Sequence, residues 1–120
     1  MFEYFYRDGG NWKTFGRVLL SGYRRDADSS LRTCLEWGNQ FVAEQVGIPA
    51  LHVAHFRSCG DGPSHLDHAF HEFLRLRPAT PEEIAALPAG VPLQDLVGRF
   101  QATAGRWDVT KSPYCAAGDA

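Results

Sequence analysis

A chain of 120 residues and 13.3 kDa, 44% hydrophobic and 22% charged, is long enough to close one core and is expected to form a single domain over residues 1–120. Its formal net charge of −2 and pI near 6.2 exclude bulk electrostatic binding of duplex nucleic acid, which needs a strongly basic face. No apolar run reaches the ~18–20 residues of a membrane span, no signal-peptide pattern opens the chain, and Cys34, Cys59 and Cys115 form no C-x-x-C; the expectation is a cytoplasmic protein with reduced thiols.

Phe2-Glu3-Tyr4-Phe5-Tyr6 puts Phe2, Tyr4 and Tyr6 on one face and Glu3 and Phe5 on the other, in residue types that favour strands. Residues 7–11, Arg-Asp-Gly-Gly-Asn, compose a turn, and a second extended run from Phe15 to Ser21 returns beside the first as a hairpin. Asp26, Asp28 and Ser29 suit a helix start, and Leu31, Cys34 and Leu35 give one apolar stripe, so a helix is predicted over 28–37 with Gly38 as its stop. The stretch from Phe41 to Leu51 is irregular, with one helical turn at Ala43–Val46 ended by Gly47 and Pro49.

Residues 57–64 read as a loop. Residues 65–77 fit either a helical stripe or a strand. Two strands need a third, so a capped turn at 64–68 followed by a strand at about 70–77 is preferred. Thr80-Pro81-Glu82-Glu83 is the strongest local signal: a cap, a proline at the first helical position and a carboxylate able to reach back to the cap's amide. A longer helix over 92–104 carries Leu93, Leu96, Val97 and Phe100 on one stripe, and the last residues, 116–120, are expected to fray. The fold class is α+β: a small, mainly antiparallel sheet with helices packed on one face.

The blocks Tyr4-Phe5-Tyr6-Arg7-Asp8 with Asn11 and Lys13, Phe41-x-x-Glu44-Gln45-Val46-Gly47-Ile48-Pro49, and His68-x-Phe70-His71-Glu72-Phe73 resemble those of a family of small uncharacterised bacterial proteins. That resemblance implies a bacterial cytoplasmic domain and brings no activity, substrate or catalytic residue with it.

All five histidines, His52, His55, His65, His68 and His71, fall within twenty residues. Counting Lys and Arg against Asp and Glu, residues 1–25 carry +3, residues 26–72 carry −5 and residues 73–120 balance. Three chemistries compete for this belt. Zinc-type coordination would draw on His65, His68 and His71, although three such residues step round a helix by about 60° each and alternate along a strand, so His52 or His55 would have to complete the set. Catalysis by His71 with Glu72 and Cys59 or Ser64 is disfavoured, because adjacent side chains do not face each other. Single-stranded nucleic acid is the third, through the aromatic and basic hairpin residues Tyr4, Tyr6, Arg7, Trp12, Lys13 and Arg17.

The leading expectation is a non-enzymatic protein-binding module without a cofactor, for example a small inhibitor or accessory protein. Asp61, Asp67, His68, His71 and Glu72, with Tyr6, Arg7 and Trp12, would dock another protein's basic surface, nucleic acid being disfavoured as the partner.

Overall fold

The computed structural model describes residues 1–60, 63–64 and 66–114, so Asp61, His65 and the expected fraying of 116–120 lie outside the described residues. Strand β1 (Phe2–Arg7) and strand β2 (Lys13–Val18) form the expected hairpin, paired from Phe2↔Val18 to Arg7↔Lys13. The second strand begins two residues earlier than the sequence implies and stops at Val18. Ser21 makes a separate bridge to Pro92, and its carbonyl accepts from the Leu93 amide at 2.8 Å.

The turn is organised by Asp8, whose Oδ1 accepts from the amides of Gly10 (2.8 Å) and Trp12 (3.1 Å), and by Asn11 at φ 69°. Asparagine is one of the few residues with a side chain that tolerates this left-handed conformation.

Numbering the remaining strands in chain order, β3 is Gln40–Val42 and β4 is Phe70–Leu76; the sheet is antiparallel throughout with the order β2-β1-β4-β3. The strand reading of 70–77 holds, whereas β3 was not foreseen. Its three residues are too few to show a period, and pairing with β4 defines them.

The helices are α1 (Ala27–Arg32), α2 (Ala43–Val46), α3 (His52–Cys59), α4 (Pro81–Ala86) and α5 (Leu93–Thr103). Helix α1 ends well short of residue 37 because the chain turns back. Trp37 (φ 50°) and Gly38 (φ 82°) lead into Gln40, whose carbonyl accepts from the Glu36 amide at 2.8 Å. Asp26 makes no side-chain cap. Asp28 instead accepts from Arg32 (2.6 Å) and from the Leu76 amide (3.0 Å), tying α1 to β4.

Helix α3 overturns part of the loop reading, since Arg57–Cys59 form its last turn before Gly60 at φ 76°. Its buried residues are His52 and His55, so no aliphatic stripe announced it. The capping box of α4 is present as read: Thr80 Oγ1 accepts from the Glu83 amide (3.2 Å) and Glu83 Oε1 from the Thr80 amide (2.9 Å).

Phe2, Tyr4, Phe41, Phe73 and Phe100 interlock with Leu31, Leu93 and Leu96 between the sheet and helices α1, α2 and α5. Burying such side chains stabilises each by about 1.5–3 kcal/mol relative to exposure. Residues alternate across the pleat, so Glu3, Phe5 and Arg7 with Lys13, Phe15 and Arg17 face the other way. Among the described residues no helix is long and apolar enough to cross a membrane.

Candidate functional site

Tyr6, at the inner end of β1, organises the histidines. Its ring centroid lies 4.4 Å from His52, 4.8 Å from His55, 5.3 Å from His68 and 5.4 Å from His71. Helix α3 supplies two of these rings from one face, three residues apart, and the inner face of β4 supplies His71. The Tyr6 hydroxyl donates to Asp67 Oδ1 at 2.7 Å and accepts from the His68 amide at 3.2 Å. Burial first, and the Asp67 bond second, push that phenol's pKa well up. Asp67 Oδ2 also accepts from the Ser64 amide at 2.9 Å. Ser64 Oγ in turn accepts from the Leu66 amide at 3.2 Å and its carbonyl from the Asp67 amide at 3.1 Å, so the capped turn read at 64–68 is present.

This inner cluster is structural. His71 Nε2 accepts from the Leu51 amide at 2.9 Å, and Nδ1–H faces the Ala69 carbonyl at 3.3 Å. Burial, with His52 beside it, drives the His71 pKa down to about 3, so the ring is neutral. His68 Nε2–H donates to the Arg7 carbonyl and His52 Nε2–H to the His68 carbonyl, each at 2.7 Å, because a carbonyl oxygen can only accept. Burial also lowers the His52 pKa, against the opposing pull of that carbonyl and of Glu44 and Asp67. Its Nδ1 is buried and has no partner among the described residues, while its ring stacks on Tyr114 at 4.1 Å.

His68 and His71 therefore have nitrogens engaged by the backbone, which removes them as a joint ligand set. His65 lies outside the described residues.

The docking residues fare similarly. Tyr6, Asp67 and His71 are buried, Arg7 Nε and Glu72 Oε2 pair at 3.0 Å, Asn39 donates to Glu72 at 3.0 Å, and Trp12 is exposed. Charge counting cannot distinguish a surface carboxylate from one turned inward, and here Asp67 is turned inward while Glu72 is tied to Arg7 and Asn39. His71 and Glu72 lie on opposite faces of β4, which separates the two members of the catalytic pair.

His55 breaks the pattern. Its ring is 2% exposed, yet both nitrogens meet side chains: Nε2 lies 2.8 Å from Asp8 Oδ2 and Nδ1 lies 2.8 Å from Thr14 Oγ1. Cys59, one helical turn on, brings Sγ to 3.7 Å from the same Nε2. Asp8 Oδ2, His55 Nε2 and Cys59 Sγ lie within 4.8 Å of one another. Burial raises the Asp8 pKa, but the His55 bond and the Trp12 and Gly10 amides outweigh it and hold the carboxyl below its usual range.

The hairpin turn thus fixes Oδ1 of Asp8 and turns Oδ2 toward α3. Neither Asp8 nor Thr14 was singled out from sequence. Recognising 52–59 as a helix would have paired His55 with Cys59, but Asp8 is 47 residues from His55 and no local signal connects them.

A cleft of about 450 Å³ lies elsewhere, between Leu19–Tyr23, Pro78, Ile84 and Leu87, and none of the histidines lines it. Its walls are mainly apolar, with Ser21 and Tyr23 among the lining residues. Comparison of the chain with protein-family models, with curated proteins and with solved structures finds no match in any of the three.

Proposed function

We propose that the protein is a metal-binding domain that holds a zinc-type ion between Asp8, His55 and Cys59. The observation that carries the reading is the convergence of a carboxylate oxygen, an imidazole nitrogen and a thiol sulfur from two separate elements. This mixed donor set suits zinc and not the all-oxygen environment of magnesium or calcium.

The local field favours a cation. Cys59 closes the C-terminal end of α3, where the helix dipole is negative, and Asp8 adds a carboxylate. The same field opposes a reactive thiolate, so a cysteine nucleophile is the poorer explanation of the same residues. Thr14 supports the arrangement from behind. With its hydroxyl oxygen accepting from Nδ1–H, His55 presents the Nε2 lone pair to the ion. Zinc ligands stand about 3.3–3.6 Å apart around a tetrahedron, so Asp8 Oδ2 needs to retreat by only about 0.5 Å as the ion replaces the shared proton. Three protein donors leave the fourth position for water or a substrate.

The test is metal analysis of protein prepared without a histidine tag, loaded with zinc and gel-filtered. About one equivalent is expected, lost in His55→Ala and Cys59→Ser and reduced in Asp8→Asn. Folded protein that carries no zinc, or that carries it equally in all three variants, refutes the assignment.

A further inference from the structure

A second feature lies across the sheet from the histidines and is independent of them. The outer face of β1 and β2 carries Phe5 and Phe15 as a cross-strand pair with ring centroids 5.5 Å apart, and Phe15 is 63% exposed. Arg7 lies 5.4 Å and Lys13 6.0 Å from the Phe5 ring, which places both cations on the same face. At the far side of the sheet Trp37, 74% exposed, lies 5.5 Å from Phe70. Phe5 faces Glu72 on β4 and Phe70 lies two residues further along that strand, so the two aromatic pairs are offset both across and along the sheet.

Arg17, Arg75 and Arg77 join Arg7 and Lys13 around this face, against the three carboxylates Glu3, Glu72 and Glu83. The face is therefore net positive on a chain whose formal charge is −2. Arg7, Arg17 and Arg75 are 39%, 50% and 59% exposed at the side chain, so a phosphate can reach them, whereas Arg77 is held by Glu83 through two parallel bonds of 2.8 and 2.7 Å.

We infer that this open sheet face is a platform for single-stranded nucleic acid. Two separate exposed aromatic positions, Phe15 and Trp37, accept unpaired bases by stacking, and the surrounding guanidinium and ammonium groups take the phosphates. The overall charge argues against bulk duplex binding, and a duplex keeps its bases out of reach of the rings. The rings therefore select the single strand. A basic protein partner, expected from the charge of the middle third, does not suit a face of this sign.

Fluorescence anisotropy of labelled oligo-dT and oligo-rU of about ten nucleotides tests the inference, with a chelator present so that the result is independent of the metal reading. Saturable binding is expected at about 50 mM salt, weakening markedly by about 200 mM. Phe15→Ala should weaken it by about 5- to 100-fold and Lys13→Glu should weaken it as well, with unchanged circular dichroism because both side chains are exposed.

No anisotropy change up to about 0.1 mM protein overturns the inference. So does equal affinity for a duplex of the same length, or affinity unchanged in both variants. Polyglutamate competing as well as the oligonucleotide would assign the face to acidic polypeptides and overturn it too.

Discussion

Acidification should destabilise this protein through His71 well before its carboxylates protonate. The His71 ring is fully buried, neutral and hydrogen-bonded as an acceptor to the Leu51 amide, and its pKa falls from the ordinary 6.5 to about 3. The groups around it are His52 at 5.0 Å, Tyr6 at 5.4 Å and Tyr4 at 6.0 Å between ring centroids, with His68 adding a further positive influence when charged. None offers a carboxylate to the imidazolium.

Below pH 6.5 the unfolded chain therefore binds a proton that the folded protein refuses. The associated stability is fully present above that pH and is lost as pH falls toward about 3. Each pH unit costs about 1.4 kcal/mol for a single group, so about 2 kcal/mol is lost by pH 5 from His71 alone. His52, with its pKa also lowered, adds to the loss with the same sign. Urea unfolding at pH 7.5, 6 and 5 measures the effect, and about one proton should be taken up on unfolding per depressed histidine. His71→Gln keeps an acceptor and removes the titration, so its slope between these pH values should be shallower. A wild-type stability that is flat from pH 7 to 5 contradicts the buried neutral ring, as does a slope that His71→Gln leaves unchanged.

Three further outcomes are expected. Tyr6→Phe removes the hydroxyl that Asp67 and the His68 amide both use, and leaving those buried partners short of a bond should cost about 1–3 kcal/mol; a variant as stable as wild type would mean that water replaces the hydroxyl without loss. Thr80→Ala should lower stability by ~1 kcal/mol through the lost cap of α4, and an unmoved melting curve would show that this helix is dispensable to the global transition. Phe100→Ala should cost about 3–5 kcal/mol, because the ring is fully buried against Phe2, Phe41 and Trp107; a loss below 1 kcal/mol would place α5 outside the cooperative core.

The legible parts of this sequence are those whose causes are local. The hairpin follows from aromatic alternation around an Asp-Gly-Gly-Asn turn, α4 from its capping box, and α5 from a four-residue apolar stripe. Residues 70–76 were settled as a strand by the need of two strands for a third, and the sheet agrees. Helix α3 was hidden for a reason specific to this protein: its buried positions are imidazoles, which hydropathy counts as polar. Strand β3 was hidden because three residues carry no period and register with β4 alone makes them a strand. Histidine clustering is visible along the chain, but its inward direction depends on Tyr6, which the sequence reading places on the hairpin's aromatic face and among the docking residues.

Helix α3 connects the two clusters, and its two buried histidines meet different partners. His52 and His55 lie three residues apart against the same Tyr6 ring. His52 Nε2 meets a backbone carbonyl, a neutral acceptor that fixes a tautomer, while burial lowers the pKa of the ring. His55 Nε2 meets the Asp8 carboxylate, the partner that stabilises a proton or a cation in its place. The hairpin turn makes that difference, because the amides of Gly10 and Trp12 occupy Oδ1 and aim Oδ2 at the helix. Tyr6 and the inner histidines hold α3 against the hairpin closely enough for Asp8 to reach it. The buried cluster thus positions the Asp8–His55–Cys59 group, and acid that loosens the first should also pull the second apart.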